Sequence, residues 1–169
     1  MQTFLTHASF AQSAKVLDDA RCGKQRVEAI QIYDALVLGP TSSPNPSAVS
    51  ARLQHPAVRM WKGYEDLLGL YHNFVVAEWE SRGFENNMLL VDVPEAVSRD
   101  YVLWLNDFIP RPACVPHWLG DRRIHNSYRA ALMKKTMQRM CYYCGEPAPA
   151  HYARYGWHVK PAIAYVWPA

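Results

Sequence analysis

Hydrophobic positions along this chain recur three and four apart, the spacing of helices that each bury one face. Residues 9–17 read as a short helix with Ser9 as its cap. A second helix is predicted from Arg21 to Leu38. Its apolar residues Val27, Ile30, Ile32, Leu36 and Val37 form a rough stripe, and Gly39-Pro40 stops it. Residues 39–50, containing Thr-Ser-Ser-Pro-Asn-Pro-Ser, read as a surface loop. His55-Pro56 then opens a long helix to about Arg82, with Gly83 as its C′ residue. Met60, Trp61, Tyr64, Leu67, Leu68, Tyr71, Phe74, Val75 and Trp79 stripe it, which makes it the expected central helix. A fourth helix is predicted from Pro94 to Asp107 and a basic one from His125 to about Met140. The stretch between them is loop-rich, and the tail from Cys141 to Ala169 is irregular, broken by prolines. Strand signal is confined to Met88-Leu89-Leu90-Val91, and no internal repeat is present. The pattern predicts an all-α fold, one compact helical domain over 1–169 with an irregular, aromatic-rich C-terminal tail.

Composition agrees with a packed domain. The chain has 169 residues, 50% hydrophobic and 20% charged, which is globular rather than disordered. Apolar runs such as Phe74-Val75-Val76-Ala77 are too short to cross a bilayer. The segment Met1-Gln2-Thr3-Phe4-Leu5 lacks the basic and apolar regions of a secretory signal. With 4 cysteines, the expectation is a cytoplasmic protein whose thiols are free or bind metal.

Charge changes the picture more. The net +3 divides unevenly: residues 1–110 sum to −4, whereas residues 111–169 sum to +7, with Asp121 and Glu146 as their only acids. A basic, aromatic C-terminal third on an acidic body points to nucleic acid rather than to a membrane. In the tail, His151-Tyr-Ala-Arg154-Tyr155-Gly-Trp157-His158 offers π-faces for stacking and cations for phosphate. The same aromatics also suit a strap that plugs into the core.

The densest chemistry lies in Arg21-Cys22-Gly23-Lys24-Gln25-Arg26-Val27-Glu28, where helical spacing puts 21, 24/25 and 28 on one face. A basic surface with one acid inside it suits an anionic substrate that needs a proton moved; it also suits a solvated face with an internal ion pair. His125-Asn126-Ser127-Tyr128-Arg129 opens the basic helix, as a phosphate site or an ordinary cap. Cys114-Val-Pro-His117 and Cys141-Tyr-Tyr-Cys144 have two-residue spacings that could close a structural Cys3His zinc site; buried and free thiols are the competing reading.

Taken together, these blocks resemble the pyrimidine-dimer DNA glycosylases of the phage endonuclease V type and their bacterial and actinophage relatives. The resemblance runs through Met-Gln-Thr-Phe-Leu, Val16-Leu17-Asp18, Arg21 to Ala29, His55-Pro-Ala-Val-Arg-Met-Trp61, Arg82-Gly83-Phe84, Trp118-Leu-Gly-Asp121, His125 to Arg129, His151-Tyr152, Tyr155-Gly-Trp157 and Tyr165-Val-Trp-Pro168. It implies a small helical domain that flips a nucleotide out of double-stranded DNA, with glycosylase and abasic-site lyase activities. The nucleophile it implies is the N-terminal α-amine, which attacks the sugar C1′ to give an imine; protein α-amines titrate near ~8. Aligning the family's arginine with Arg21 puts that amine on Met1, which the bulky Gln2 leaves unprocessed.

One departure matters. The prototype's catalytic glutamate directly follows this arginine, and Cys22 stands there instead. A thiol does not replace a carboxylate that shuttles protons; Asp18, Asp19 and Glu28 are the nearby acids, and the helical face shared with Arg21 and Lys24 favours Glu28. The expected catalytic set is therefore Met1, Glu28 and Arg21, with no cofactor in the chemistry. Lys24, Gln25, Arg26, His125, Asn126, Arg129, Lys134, Arg154, Tyr155 and Trp157 are expected to contact DNA. Cys114, His117, Cys141 and Cys144 are the zinc candidates. The expected state is a monomer without membrane association. The missing glutamate leaves two alternatives, a non-catalytic duplex-binding protein and a glycosylase for modified rather than dimerised pyrimidines.

Overall fold

Side-chain caps set where the first helices begin. In the computed structural model, which describes residues 1–39, 46–136, 148–157 and 164–168, Ser9 accepts the Gln12 N–H at the start of α1 (Phe10–Lys15). Asp18 likewise accepts the Arg21 N–H at the start of α2 (Asp19–Val37). Such caps contribute about 1 kcal/mol each. The later helices are α3 (Pro46–Leu53), α4 (Pro56–Arg59), α5 (Glu65–Ser81), α6 (Glu95–Leu105), α7 (Arg122–Thr136) and α8 (Ala148–Ala153), and the described residues contain no strand.

Four sequence expectations need correction. The long helix over 55–82 is broken, because α4 ends at Arg59 and α5 begins at Glu65. Gly63 sits between them at φ 85°, a left-handed conformation that a side chain resists, and the Glu65 carboxylate accepts its N–H at 2.8 Å. Trp61, within the break, is fully buried. Residues 46–50 are helical rather than loop, since a proline at the first helical position sacrifices no hydrogen bond. The run 88–91 is irregular and pairs with no strand: the Asn73 amide bonds both the N–H and the carbonyl of Val91 (2.9 and 2.8 Å), and so ties the segment to α5. Finally, the basic helix begins at Arg122, three residues before His125.

The principal packing is α2 on α5. Small residues on α2 permit the approach: the Cys22 thiol is fully buried against the Val75 carbonyl (3.8 Å), and a Cβ at Gly23 would stand 2.9 Å from the Trp79 ring. That ring could not yield cheaply, because it is stacked on Phe84 at 4.0 Å and covered by the Arg26 guanidinium at 4.2 Å. Around this pair aromatics fill the core. Phe10 stacks on Tyr101 (4.5 Å), and Trp61 meets Trp118 edge-on (5.1 Å). In the tail, α8 docks on the α1–α2 junction, where the buried Tyr152 hydroxyl donates to Asp18 at 2.8 Å and the His151 Nε2–H donates to the Val16 carbonyl. No helix among the described residues is long and apolar enough to cross a membrane.

Several histidines in or beside this core are held towards the neutral form by burial. Burial, with the Arg129 and His125 charges nearby, lowers the His7 pKa to about 4. Burial is also the chief cause lowering His125 and His151. Below the unfolded value near ~6.5 the unfolded chain therefore binds more protons than the folded one, and stability falls with pH. The expected outcome is a melting temperature that declines as pH drops from about 6.5 towards 4. Each ~1 kcal/mol lost lowers it by roughly 2–4 °C in a chain of this size, and a pH series of thermal melts checks this.

Candidate active site

Residues 2–6 enter the core as an irregular segment, neither helix nor strand, with Gln2, Thr3, Phe4, Leu5 and Thr6 all buried. Such a segment forms no helical hydrogen bonds of its own, so side chains must supply them. Gln25, only 1% exposed, donates from Nε2 to the Gln2 carbonyl (2.7 Å) and accepts the Phe4 N–H at Oε1 (2.8 Å). The Tyr71 hydroxyl donates to the Phe4 carbonyl, His125 Nδ1–H to the Leu5 carbonyl at 2.7 Å, and Arg129 Nε–H to the Thr6 carbonyl at 2.9 Å. Three helices thus grip one strandless segment.

Clamped this way, Met1 emerges into a cleft of about 390 Å³ lined by Met1, Gln2, Phe4, Arg21, Lys24, Glu28 and Lys135. The Met1 nitrogen lies 3.9 Å from Glu28 Oε1, and Lys24 Nζ lies 3.6 Å from the same oxygen. The Glu28 side chain is 14% exposed, whereas Lys24 is 68% exposed and reaches outward from the rim. Arg21 donates from Nη2 to the Lys135 carbonyl (3.1 Å), tying α2 to the end of α7. The Lys135 ammonium stands over the Phe4 ring (5.4 Å) and the Tyr165 ring (5.7 Å). Its pKa is lowered chiefly by burial, then by Arg21. The cleft therefore presents one amine, one shielded carboxylate and a ring of cations.

The structure gathers Met1, Arg21, Lys24 and Glu28, as the helical face of α2 predicted, and it removes others from that face. Gln25, expected at the surface, lies beneath it with both amide ends engaged. Arg26 points to the far side of α2, over Trp79 and onto Asn86 Oδ1 at 2.9 Å. Cys22 packs in the core, where burial raises its pKa to about 11 and leaves it an inert thiol. His125, expected to open a helix as a phosphate contact, is in its second turn and buried: Nδ1–H donates to Leu5, while Nε2 accepts the Gly120 N–H at 3.0 Å. The helix start is capped instead by the Asp121 carboxylate on the Arg123 N–H, and the hydrogen bonds from Arg123 hold that half-buried acid down at about 2. Asn126 accepts from Arg129 (3.3 Å), whose guanidinium lies 5.8 Å from the Trp157 ring. Tyr155 and Trp157 stack on one another at 5.6 Å, while Lys134 and Arg154 are exposed.

Sequence reasoning missed Gln2, Phe4 and Lys135. A signal for the last was available: the buried positions Ile124, Tyr128, Ala131 and Leu132 define the inner stripe of α7, and Lys135 continues it where Lys134 does not. Of the zinc candidates, Cys141 and Cys144 lie outside the described residues. Cys114 is a half-buried free thiol and His117 is exposed. Among the described residues no three His, Cys, Asp or Glu side chains gather as metal ligands.

The clamp makes a direct prediction. Gln25→Leu keeps the volume but strands the Gln2 carbonyl and the Phe4 N–H, at about 1–3 kcal/mol for each buried group. Denaturant unfolding should show a loss of about 2 kcal/mol or more, and hydrogen exchange should show the Phe4 amide opening ahead of the α5 core.

Comparison with known proteins meets the geometry here. The family described as pyrimidine dimer DNA glycosylase matches residues 1–92, over half of the 169-residue chain. Neither the curated proteins nor the solved structures give a match. The matched stretch carries the N-terminal segment, α1 through α5 and every cleft residue except Lys135. The chain belongs to the pyrimidine dimer DNA glycosylase family, whose substrate is DNA and whose work is its repair.

Proposed function

We propose that this protein excises a damaged pyrimidine from double-stranded DNA and then cuts the strand as an abasic-site lyase, through an imine formed on the Met1 amine. The observation that carries the proposal is the Met1 nitrogen 3.9 Å from the Glu28 carboxylate inside a cationic cleft. In the neutral amine form, Met1 bonds to C1′ as the glycosidic bond breaks. The resulting ammonium at C1′ gives a proton to Glu28, which passes it to the departing base; the nitrogen lone pair then expels the ring oxygen O4′, which takes a proton from water, and the imine is left in its protonated form. Glu28, ionised again, or a water then removes a C2′ proton, and the 3′ phosphate departs by β-elimination. Catalytic pairs that are long in the empty site tighten around substrate, so 3.9 Å suits a proton carrier.

The cations have separate work. Arg21, Lys24 and Lys135 hold phosphates on either side of the extruded nucleotide, because bringing a polyanion to an embedded carboxylate needs compensating charge. Arg129, Lys134, Arg154, Tyr155 and Trp157 extend this surface along the duplex, where the basic C-terminal third gives the salt-sensitive part of affinity. The chain acts as a monomer in this reading. Zinc, if Cys114, His117, Cys141 and Cys144 assemble a site, is structural and separate from the chemistry.

The test is borohydride trapping of tag-free protein on two duplexes, one with a cyclobutane thymine dimer and one with an abasic site. The expected result is a covalent adduct on both, mapped to Met1 and lost after Nα-acetylation. An adduct on the abasic site alone would redirect the search to a modified pyrimidine. Binding without any adduct would leave a duplex-binding protein and end the enzymatic reading. Glu28→Gln is expected to lower abasic-site cleavage by about 10²-fold or more, with duplex affinity within a few-fold of the parent. Because the reacting groups are an amine, a carboxylate and a sugar, cleavage should proceed in EDTA at the rate seen without it.

A further inference from the structure

The cleft contains a donor that the imine scheme does not use. Gln2 is 7% exposed and lines the cleft, yet its side-chain Nε2 is buried with no hydrogen-bond partner among the described residues. Buried amide donors are almost always paired, because an unpaired one forfeits its hydration without return. The Gln2 backbone is not the reason for this: its carbonyl is already held by Gln25 at 2.7 Å, which fixes the residue whatever its side chain does. A residue held by its backbone at the cleft wall, next in sequence to the reacting amine and with its side-chain donor unpaired, is equipped to turn that donor to an acceptor that arrives with the substrate.

The chemistry of the leaving group says which acceptor. Breaking the glycosidic bond leaves its electron pair on N1 of the pyrimidine. In a cyclobutane dimer C5 and C6 are saturated, so that charge delocalises only into the adjacent C2 carbonyl, onto O2. O2 is also the base oxygen nearest the sugar, hence nearest the amine attacking C1′. A donor preset at the position where negative charge develops acts on the transition state more than on the ground state.

We propose that Gln2 is the leaving-group donor of the glycosylase step, its side-chain amide donating to O2 of the pyrimidine whose bond to C1′ breaks. This rests on the imine mechanism proposed above and adds the group that stabilises the departing base. The step balances: the Met1 nitrogen bonds to C1′, the pair of the broken bond goes to N1 and O2, and the proton lost from the new ammonium passes through Glu28 to the base. Gln2 contributes a hydrogen bond and transfers no proton.

The abasic site provides the discriminating substrate, since it has a sugar and phosphates but no base. Gln2→Met keeps length and volume, removes the donor and leaves the backbone bond to Gln25 intact. The bulky residue also keeps Met1 in place, as an intact-mass measurement verifies. Single-turnover cleavage by the full chain is measured on the dimer duplex and on the abasic duplex. The ratio of dimer to abasic rates is expected to fall about 10²-fold, the usual cost of one such donor. An unchanged ratio overturns the proposal, whether both rates are preserved or both fall together; an equal fall would mean that Gln2 acts on the sugar, a phosphate or the placement of Met1. Failure of the parent protein to form an adduct on either duplex would overturn the mechanism itself, a result distinct from a normal parent with an unchanged ratio in the variant.

Discussion

Burying an irregular segment that has neither helix nor partner strand is the constraint on which this structure turns. Residues 2–6 bring backbone donors and acceptors into an aromatic core, and unpaired groups there would cost more than a small domain can sustain. The fold satisfies them with side chains from three directions: Gln25 of α2, Tyr71 of α5, and His125 and Arg129 of α7. Each of those helices is thereby fixed relative to Met1. A buried polar network of this kind has value only when complete, so the position of the first residue is set cooperatively with the core.

The same arrangement explains how one helix serves two purposes. On α2, Arg21, Lys24 and Glu28 face the cleft, Gln25 holds the segment beneath it, and Cys22 and Gly23 face α5. The cysteine that stands where the prototype has its glutamate is a packing residue. Glu28, nearly two turns on, brings a carboxylate to the amine from the cleft side of the helix. Cations around this carboxylate lie at the rim and at the end of α7, within reach of a bound polyanion.

Much of the helical architecture was legible in the chain because local signals state it. Ser9 starts α1 by capping, the stripe through Leu67, Leu68, Tyr71 and Val75 marks α5, and 3.6-residue periodicity puts Arg21, Lys24 and Glu28 together. Gly63 broke the long helix where apolar periodicity ran straight through, since a stripe records which side is buried and not whether the backbone stays helical. Pro46 looked like a loop residue and is a helix start for the same local reason, a missing N–H.

What the sequence determined by itself is therefore the all-α class and the grouping of Arg21, Lys24 and Glu28 on one face of α2, with Cys22 off it. Periodicity and side-chain chemistry decide those within a few turns of chain. The tertiary structure alone decided that Gln25 and His125 are internal clamps and that Arg26 belongs to Trp79. It also decided that Gln2 holds an unpaired donor. These outcomes depend on pairings between residues tens of positions apart. A polar side chain's sequence neighbours do not reveal whether it meets water, a backbone carbonyl or nothing, because that is fixed only when distant segments close around it.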